Sequence, residues 1–344
     1  MNALIVGGGI AGISIAIQLI KRGITITLID SGENQSTAVA AGLINPIVFR
    51  RTTKSWRADD FIPYLKDFYQ ELEIESQTQF FHPLKIRRIF SSDQERKDWQ
   101  KKQERVDYQH FLEQINTPDD NYNLVDCPFG SARLTNCFWV NSQEFMTGGK
   151  RLIEEKGAWK KEPFQFPFYD ASSKTYMGKT YSYVIFCEGY QVKNNPLFSF
   201  LAISPTKGQV LTIESSTIPE DESLNRKCFI LPLGEHRFKI GSTYEWENSD
   251  TSITEEGKQL ILENLRVLTD ETPHVIAQEA GIRPTTIDRR PFIGEHSHFK
   301  RNYIFNGLGT KGYMIAPLLS QELTALLLDG EELDPEVAVY RRKK

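Results

Sequence analysis

The chain has 344 residues, 41 lysines and arginines against 45 aspartates and glutamates, and a net charge of −4. Hydrophobic residues at 40% and charged residues at 25% are ordinary for a globular protein; they exclude intrinsic disorder and collagen-like repeats and leave room for about two domains. The near-neutral charge argues against bulk nucleic-acid or anionic-membrane binding. Cys127, Cys137, Cys187 and Cys228 are scattered, with no CxxC pair and no HExxH among the histidines, which argues against a disulfide framework or a zinc site and for a reducing cytoplasm.

No charged side chain occurs from Met1 to Ile20, a stretch long enough to imitate a membrane helix. It lacks the basic leader of a signal peptide, and Gly7, Gly8, Gly9 and Gly12 interrupt it. A strand–turn–helix explains those glycines, so a soluble protein is expected. Ala3–Val6 reads as a buried parallel strand. Gly7-Gly8-Gly9-Ile10-Ala11-Gly12 satisfies G-x-G-x-x-G, a helix runs to Arg22, Gly23 stops it, and a second apolar strand over 24–29 ends at Asp30, followed by Ser31. In this setting Gly7 permits the tight turn, Gly9 lets backbone approach a pyrophosphate, and Gly12 lets helix and strand pack closely. The helix N-terminus offers unpaired N–H groups and a positive dipole end to phosphates. Asp30 suits a ribose 2′-hydroxyl and would repel a 2′-phosphate. The ligand expected is an adenine dinucleotide, and the motif alone does not separate FAD from NAD.

Residues 37–46 are small and could lie flat against a ligand, although a plain loop explains them as well. From about 50 to 133 charges and aromatics mix. A helix is predicted over 59–75, a strand over 84–90, and a further helix opened by the capping box Ser92–Glu95. Asn141 opens a helix to about Lys156 with Gly157 as its stop, and 181–187 reads as an apolar strand returning to the nucleotide sheet. Residues 208–213, 229–232 and 238–244 read as antiparallel strands, the last two joined by Gly234-Glu235-His236. A helix is predicted over 254–268. Two dense motifs follow, Glu279–Gly294 and Tyr303–Pro317. The second is again strand, G-x-G-x-x-G and helix, but it has no second acid, so a second helix N-terminus delivered to the same ligand is expected. The terminal Arg341-Arg342-Lys343-Lys344 is read as a solvated tail.

These motifs, in this order, resemble the D-amino-acid oxidase superfamily of FAD-dependent oxidoreductases, which includes glycine oxidase, sarcosine oxidase and the FAD domain of a bifunctional tRNA-modifying enzyme. Ala40-Ala41-Gly42, continuing to Leu43, resembles its flavin-facing loop. Lys207-Gly208-Gln209 resembles the start of the substrate-domain sheet, and Phe229–Pro232 with Ile240–Thr243 resembles that sheet's hairpin. Ala280–Pro284 and the closing glycine turn resemble the C-terminal signature.

The resemblance implies an α/β fold, a Rossmann-like FAD domain interleaved with an antiparallel-sheet substrate domain. The FAD domain would take 1–50, 135–200 and 275–344, and the substrate domain 51–134 and 201–274. The cofactor implied is FAD, held without a covalent bond because no flavin-linking cysteine occurs near 305–317. Gly189, Gly307, Gly309, Lys311, Gly312, Tyr313 and Met314 would join Gly7, Gly9–Gly12, Asp30, Ser31 and Ala40–Leu43 around it. Arg283 matches the arginine that holds a substrate carboxylate. Phe229 stands where amino-acid oxidases often carry a tyrosine, and Lys311 is closer to the basic residue of the tRNA-modifying relative. Phe229, Tyr244, Lys311 and Tyr313 are further substrate-facing candidates, and no acid or base is assigned.

The activity implied is oxidation of a C–N bond of a small amino or imino acid, by hydride transfer to flavin N5. An alternative keeps FAD and removes a carboxymethyl group from a modified wobble base, with tRNA as partner. A third reading is a non-catalytic dinucleotide-binding protein. The substrate, electron acceptor and oligomeric state stay open at this point.

Overall fold

The computed structural model describes residues 1–33, 35–116, 127–246 and 248–341. Its first sheet has six strands in the spatial order Phe292–Glu295, Asn302–Asn306, Tyr183–Phe186, Asn2–Val6, Thr25–Ile29 and Ala158–Lys160. All neighbours run parallel except the hairpin between Phe292–Glu295 and Asn302–Asn306. The central strand pairs Ala3 with both Tyr183 and Ile26. Ala3, Leu4, Ile5 and Val6 are all buried, as expected where both faces of a parallel strand are covered. One face packs against the helices Ile10–Lys21, Ser142–Lys156 and Gly312–Asp329. The other, which presents Leu4, Val184 and Phe186, packs against an aromatic layer of Phe164, Tyr176 and Phe198, partly carried by a small three-stranded sheet over 169–180. Among the described residues, no helix is long and apolar enough to cross a membrane.

The second sheet is antiparallel except where Ser223–Asn225 pairs parallel to Phe81–Ile89. Its long core pair is Ile203–Glu214 with His274–Thr286, running from Ile203↔Thr286 to Glu214↔His274 with a register shift between Thr212 and Ile213. The hairpin Phe229–Gly234 and Arg237–Gly241 extends it, and Phe81–Ile89 and Ser131–Val140 carry it on to Leu43–Ile44.

Sheet membership departs from the expected segment boundaries in three places. Leu43–Ile44, Ser131–Val140 and His274–Thr286 all belong to the second sheet. The expected division near 275 cuts a strand whose backbone partners run the length of Ile203–Glu214. Local patterning marks a strand, and only the partner decides its sheet.

The helix ends follow local chemistry. Gly23 takes φ 74 just after the first helix. The Ser92 hydroxyl accepts from Glu95 N–H, while the Glu95 carboxylate reaches back to the Ser91 N–H. The Asn141 side chain accepts from Gln143 and Glu144 N–H to open Ser142–Lys156. The helix predicted over 254–268 spans Glu255–Leu265, with Thr254 as its cap.

Arg341 departs from the solvated-tail expectation. Its guanidinium pairs with Asp288, donates to the carbonyls of Arg290 and Pro291, and lies 3.7 Å from the Phe292 ring centroid. An arginine stem and fork this well matched to a carboxylate, two carbonyls and a ring gains more by docking than by staying hydrated. The remainder of that basic run, 342–344, lies outside the described residues.

Candidate cofactor and substrate site

A cavity of about 700 Å³ opens between the carboxyl ends of the parallel strands and the inner face of the second sheet. Both glycine turns line it: Gly7 to Ala11 on one side, Leu308 to Tyr313 on the other.

The first turn is held open by close packing. Gly7 takes φ 105, and a Cβ there would lie 2.4 Å from the Cys187 carbonyl oxygen. A Cβ on Gly12 would stand 1.8 Å from the Gly7 oxygen, so helix and turn can meet only at glycine. Gly8 N–H donates to Asp30 Oδ1 at 2.9 Å, and Ile10 N–H donates to Thr37 Oγ1 at 3.0 Å. The acid at the end of the second strand therefore shapes the turn as well as facing the cavity. The N–H groups of Gly9 and Ala11 have no partner among the described residues. Orphaned donors at a helix N-terminus, facing a cavity, fit a diphosphate.

The second turn leads into Gly312–Asp329. Gly307 and Gly309 both have left-handed φ, 80 and 57. Lys311 Nζ donates to the carbonyl of Asn45 at 3.0 Å and to its Oδ1 at 2.9 Å. Burial lowers the Lys311 pKa to about 8. Tyr313 is buried, and its hydroxyl donates to the Thr37 carbonyl at 2.9 Å.

On the roof, the Arg283 guanidinium lies against Gly208, where a Cβ would come within 2.0 Å of Nη2. Nη2 donates to Ser242 Oγ at 2.9 Å and Nη1 to the Thr243 carbonyl at 3.3 Å. The Tyr244 ring covers the fork at 4.6 Å from Cζ to centroid. Burial lowers the Arg283 pKa, and no carboxylate among the described residues pairs with it. Among the described residues, two of its five N–H donors are taken by protein acceptors.

The cavity gathers Gly7, Gly9, Ile10, Ala11, Asp30, Ser31, Ala40 to Leu43, Gly189, Gly309 and Lys311 to Tyr313, together with Phe229, Tyr244 and Arg283. Three expected cofactor residues do not line it. Gly12 lies behind the turn, Gly307 packs against the Thr286 methyl, and Met314 is buried in the core. Helical periodicity turns Met314 inward, away from the end of its helix. The expected substrate contact Tyr313 lines the cavity, but its hydroxyl is committed to Thr37.

Sequence reasoning missed Thr37 and Asn45, which anchor the two turns, and the wall formed by Phe164 and Phe166. It also missed Glu188, whose carboxyl accepts from Asn195 Nδ2 at 2.7 Å and is pushed by burial up to about 7. Its position between Cys187 and Gly189, at the end of a core strand, was the available signal. Charge along the cavity is segregated. The acids Asp30, Glu33 and Glu188 follow strands of the parallel sheet, whereas Lys227, Arg283, Arg289 and Lys311 come from the roof and the C-terminal loops.

Two glycine turns on one cavity, an acid closing the second strand and an antiparallel roof fit a dinucleotide held between the two sheets. The sequence profile of the FAD-dependent oxidoreductase family (DAO) matches residues 2–326, and the chain belongs to that family. The cofactor of that family is FAD. The chain is 23% identical over 392 residues to the tRNA 5-methylaminomethyl-2-thiouridine biosynthesis bifunctional protein MnmC of Legionella pneumophila, covering 99% of this chain and 55% of that protein. It thus spans about half the length of such bifunctional relatives. The uncharacterized oxidoreductase YurR of Bacillus subtilis is 23% identical over 98% of this chain and 97% of its own. In fold the chain is similar to glycine oxidase from Geobacillus kaustophilus, with a TM-score of 0.85, 18% identity and 99% of both chains covered. It is also similar to L-proline dehydrogenase from P. horikoshii, with a TM-score of 0.79, 16% identity, and 96% of this chain and 94% of that chain covered.

Proposed function

We propose that the chain oxidises the C–N bond of a small amino or imino acid, with FAD bound non-covalently in the cytoplasm. The observation that carries this reading is Arg283, a mostly buried guanidinium without a carboxylate partner among the described residues, set against the cavity by Gly208 and Tyr244. A buried cation left unpaired is costly, and a substrate carboxylate taking its free donors removes that cost. FAD, when bound, supplies a hydride acceptor at N5. The protein's part is placement. Arg283 fixes the carboxylate end of the substrate, so that the adjacent Cα–H faces the cofactor. With FAD in place, the lone pair of a neutral amine would support loss of hydride from Cα, and water would hydrolyse the iminium ion left behind to a carbonyl compound and ammonia or an amine. Lys311, partly buried beside Asn45, adds a positive charge at the opposite turn.

The test is the absorption spectrum of the purified protein, followed anaerobically against glycine, sarcosine, proline and D-amino acids. Bleaching by one of these supports the reading, and no bleaching by any overturns it. Arg283→Ala should raise KM for the carboxylate substrate by about 100-fold, the scale of a lost charge-assisted pair at ~2.7 kcal/mol, with flavin still bound. An unchanged KM removes Arg283 from the substrate site.

A second reading is favoured by the extent of similarity to the bifunctional relatives, over 99% of this chain against 38% for Bacillus subtilis glycine oxidase. The substrate is then an N-carboxymethyl group on a modified tRNA base, and Arg283 would hold the same carboxylate. Lys227 and Arg289, both exposed and lining the cavity, suit a polyanion. Absence of tRNA retardation by the purified protein dismisses this reading and leaves the first intact.

A further inference from the structure

Gln209 sits next to Gly208 on Ile203–Glu214, but the two act on opposite faces of the roof. Alternation along a strand turns Gly208 toward the cavity and Gln209 away from it. Gln209 is fully buried, and a Cβ on Gly257, in the helix behind the sheet, would come within 2.2 Å of its Nε2. Its amide nitrogen donates to Glu245 Oε1 at 2.8 Å and to Thr254 Oγ1 at 3.0 Å. Its amide oxygen accepts from Thr254 N–H at 2.9 Å and from Gln278 Nε2 at 2.8 Å. Its backbone exchanges two bonds with Thr243, Gln209 N–H to Thr243 Oγ1 at 2.9 Å and Thr243 N–H to the Gln209 carbonyl at 3.2 Å. All four hydrogen-bonding positions of a primary amide are thereby used.

Thr243 and Glu245 flank Tyr244. The Thr243 carbonyl takes one Arg283 N–H, and the Tyr244 ring covers the Arg283 fork. Arg283 is thus held by Ser242, Thr243 and Tyr244, a stretch pinned from behind the sheet by Gln209 at Thr243 and, one residue beyond it, at Glu245. We propose that Gln209 is a positioning residue for ligand binding: through Thr243 and Glu245 it sets the plane of the Arg283 guanidinium without touching the cavity. The inference rests on the reading of Arg283 as the carboxylate anchor. A bidentate carboxylate needs a fork fixed in plane, and a segment freed to shift would let the fork turn away. Lys207, two residues before Gln209 on the same strand, pairs in register with Glu245, and its Nζ lies 3.9 Å from Glu245 Oε2.

The experiment uses the FAD-loaded protein and a plain carboxylate, acetate or glycolate, titrated by its perturbation of the flavin spectrum. Five proteins are compared: wild type, Gln209→Leu, Thr243→Val, Arg283→Ala and the double variant of Gln209→Leu with Arg283→Ala. Gln209→Leu should weaken the carboxylate about tenfold while the FAD Kd stays within twofold. The double variant should bind no more weakly than Arg283→Ala, because both changes remove one interaction. Thr243→Val, which removes the hydroxyl and keeps the carbonyl, should give a smaller loss in the same direction, and it carries the test if Gln209→Leu loses flavin. Carboxylate affinity unchanged in Gln209→Leu, or in Thr243→Val where that variant stands in, overturns the inference, as do losses that add fully in the double variant. If Arg283→Ala itself binds the carboxylate like wild type, the anchor reading falls and takes this inference with it. A loss in Arg283→Ala without one at 209 or 243 sinks the positioning role alone.

Discussion

The Tyr313 hydroxyl donates to the backbone carbonyl of Thr37 across 276 residues of sequence, while the Thr37 hydroxyl accepts from Ile10 N–H. One threonine therefore ties the N-terminus of the first helix to the N-terminus of the last. Tyr69 completes the arrangement by donating to the Tyr313 carbonyl. Tyr313→Phe leaves the Thr37 carbonyl without its partner in a buried setting, at a cost of about 1–3 kcal/mol. We expect a lower denaturation midpoint and faster FAD release. Urea titration with and without FAD checks the first, and recovery of flavin fluorescence on dilution checks the second. Unchanged values for both would mean that the two turns are held together by packing alone.

Lys311 gives the site a pH dependence whose sign differs between folding and ligand binding. Its pKa is lowered by burial from 10.5 to about 8. Between those values the unfolded chain holds the proton and the folded chain has lost it, so this group's contribution to stability rises with pH through that window. Attraction for an anionic ligand runs the other way, complete below about 8 and lost above it. Carboxylate affinity should fall between pH 7 and 9 in the wild type. Lys311→Met should bind more weakly at pH 7 with a flattened profile, and Lys311→Arg should keep its affinity to higher pH. Spectral titration of acetate at each pH is the measurement, and a wild-type slope that survives in Lys311→Met would assign the dependence to another group.

What the sequence made legible was local. Gly7, Gly12 and Asp30 could be read because a turn, a close helix–strand approach and a strand-end acid follow one another within thirty residues. Asn141 and Ser92 could be read as helix caps for the same reason. That Arg283 lines the cavity was signalled only by its resemblance to a known motif, since an arginine in a strand has no signature of its own. Thr37 and Asn45 were not legible, because each works through a partner more than twenty residues away: Ile10 in one case, Lys311 in the other. The sheet to which Leu43–Ile44 and His274–Thr286 belong was illegible for the same reason, as strand pairing is a long-range choice. Gln209 looked like one letter of a motif, and its function became visible only once Thr243, Glu245 and Thr254 surrounded it.

The seam where Ser223–Asn225 runs parallel to Phe81–Ile89 is closed by Glu222, which is 2% exposed. Its carboxylate accepts from Arg87 Nε at 2.5 Å and from Arg133 Nε at 2.8 Å, on the two neighbouring strands. Burial alone would raise its pKa, but the two guanidinium bonds outweigh burial and hold it below the usual carboxylate value. A carboxyl lowered by folding stabilises the protein above its unfolded pKa and loses that contribution as pH falls through the folded one. Glu222→Gln removes the negative charge that Arg87 and Arg133 share in this buried seam, a change worth about 3–5 kcal/mol when a buried pair is broken. We expect a strong loss of stability at pH 7 that narrows as pH drops into the range where wild-type Glu222 itself takes up a proton. Asn225, Lys227 and Phe229 line the cavity immediately beyond this seam, whereas the glycine turns lie on other elements. The variant should therefore retain FAD and lose affinity for a carboxylate ligand. Thermal denaturation from pH 3 to 7, paired with FAD and acetate titrations, separates these effects. Equal loss of FAD and acetate binding would show that the roof and the parallel sheet unfold as one unit.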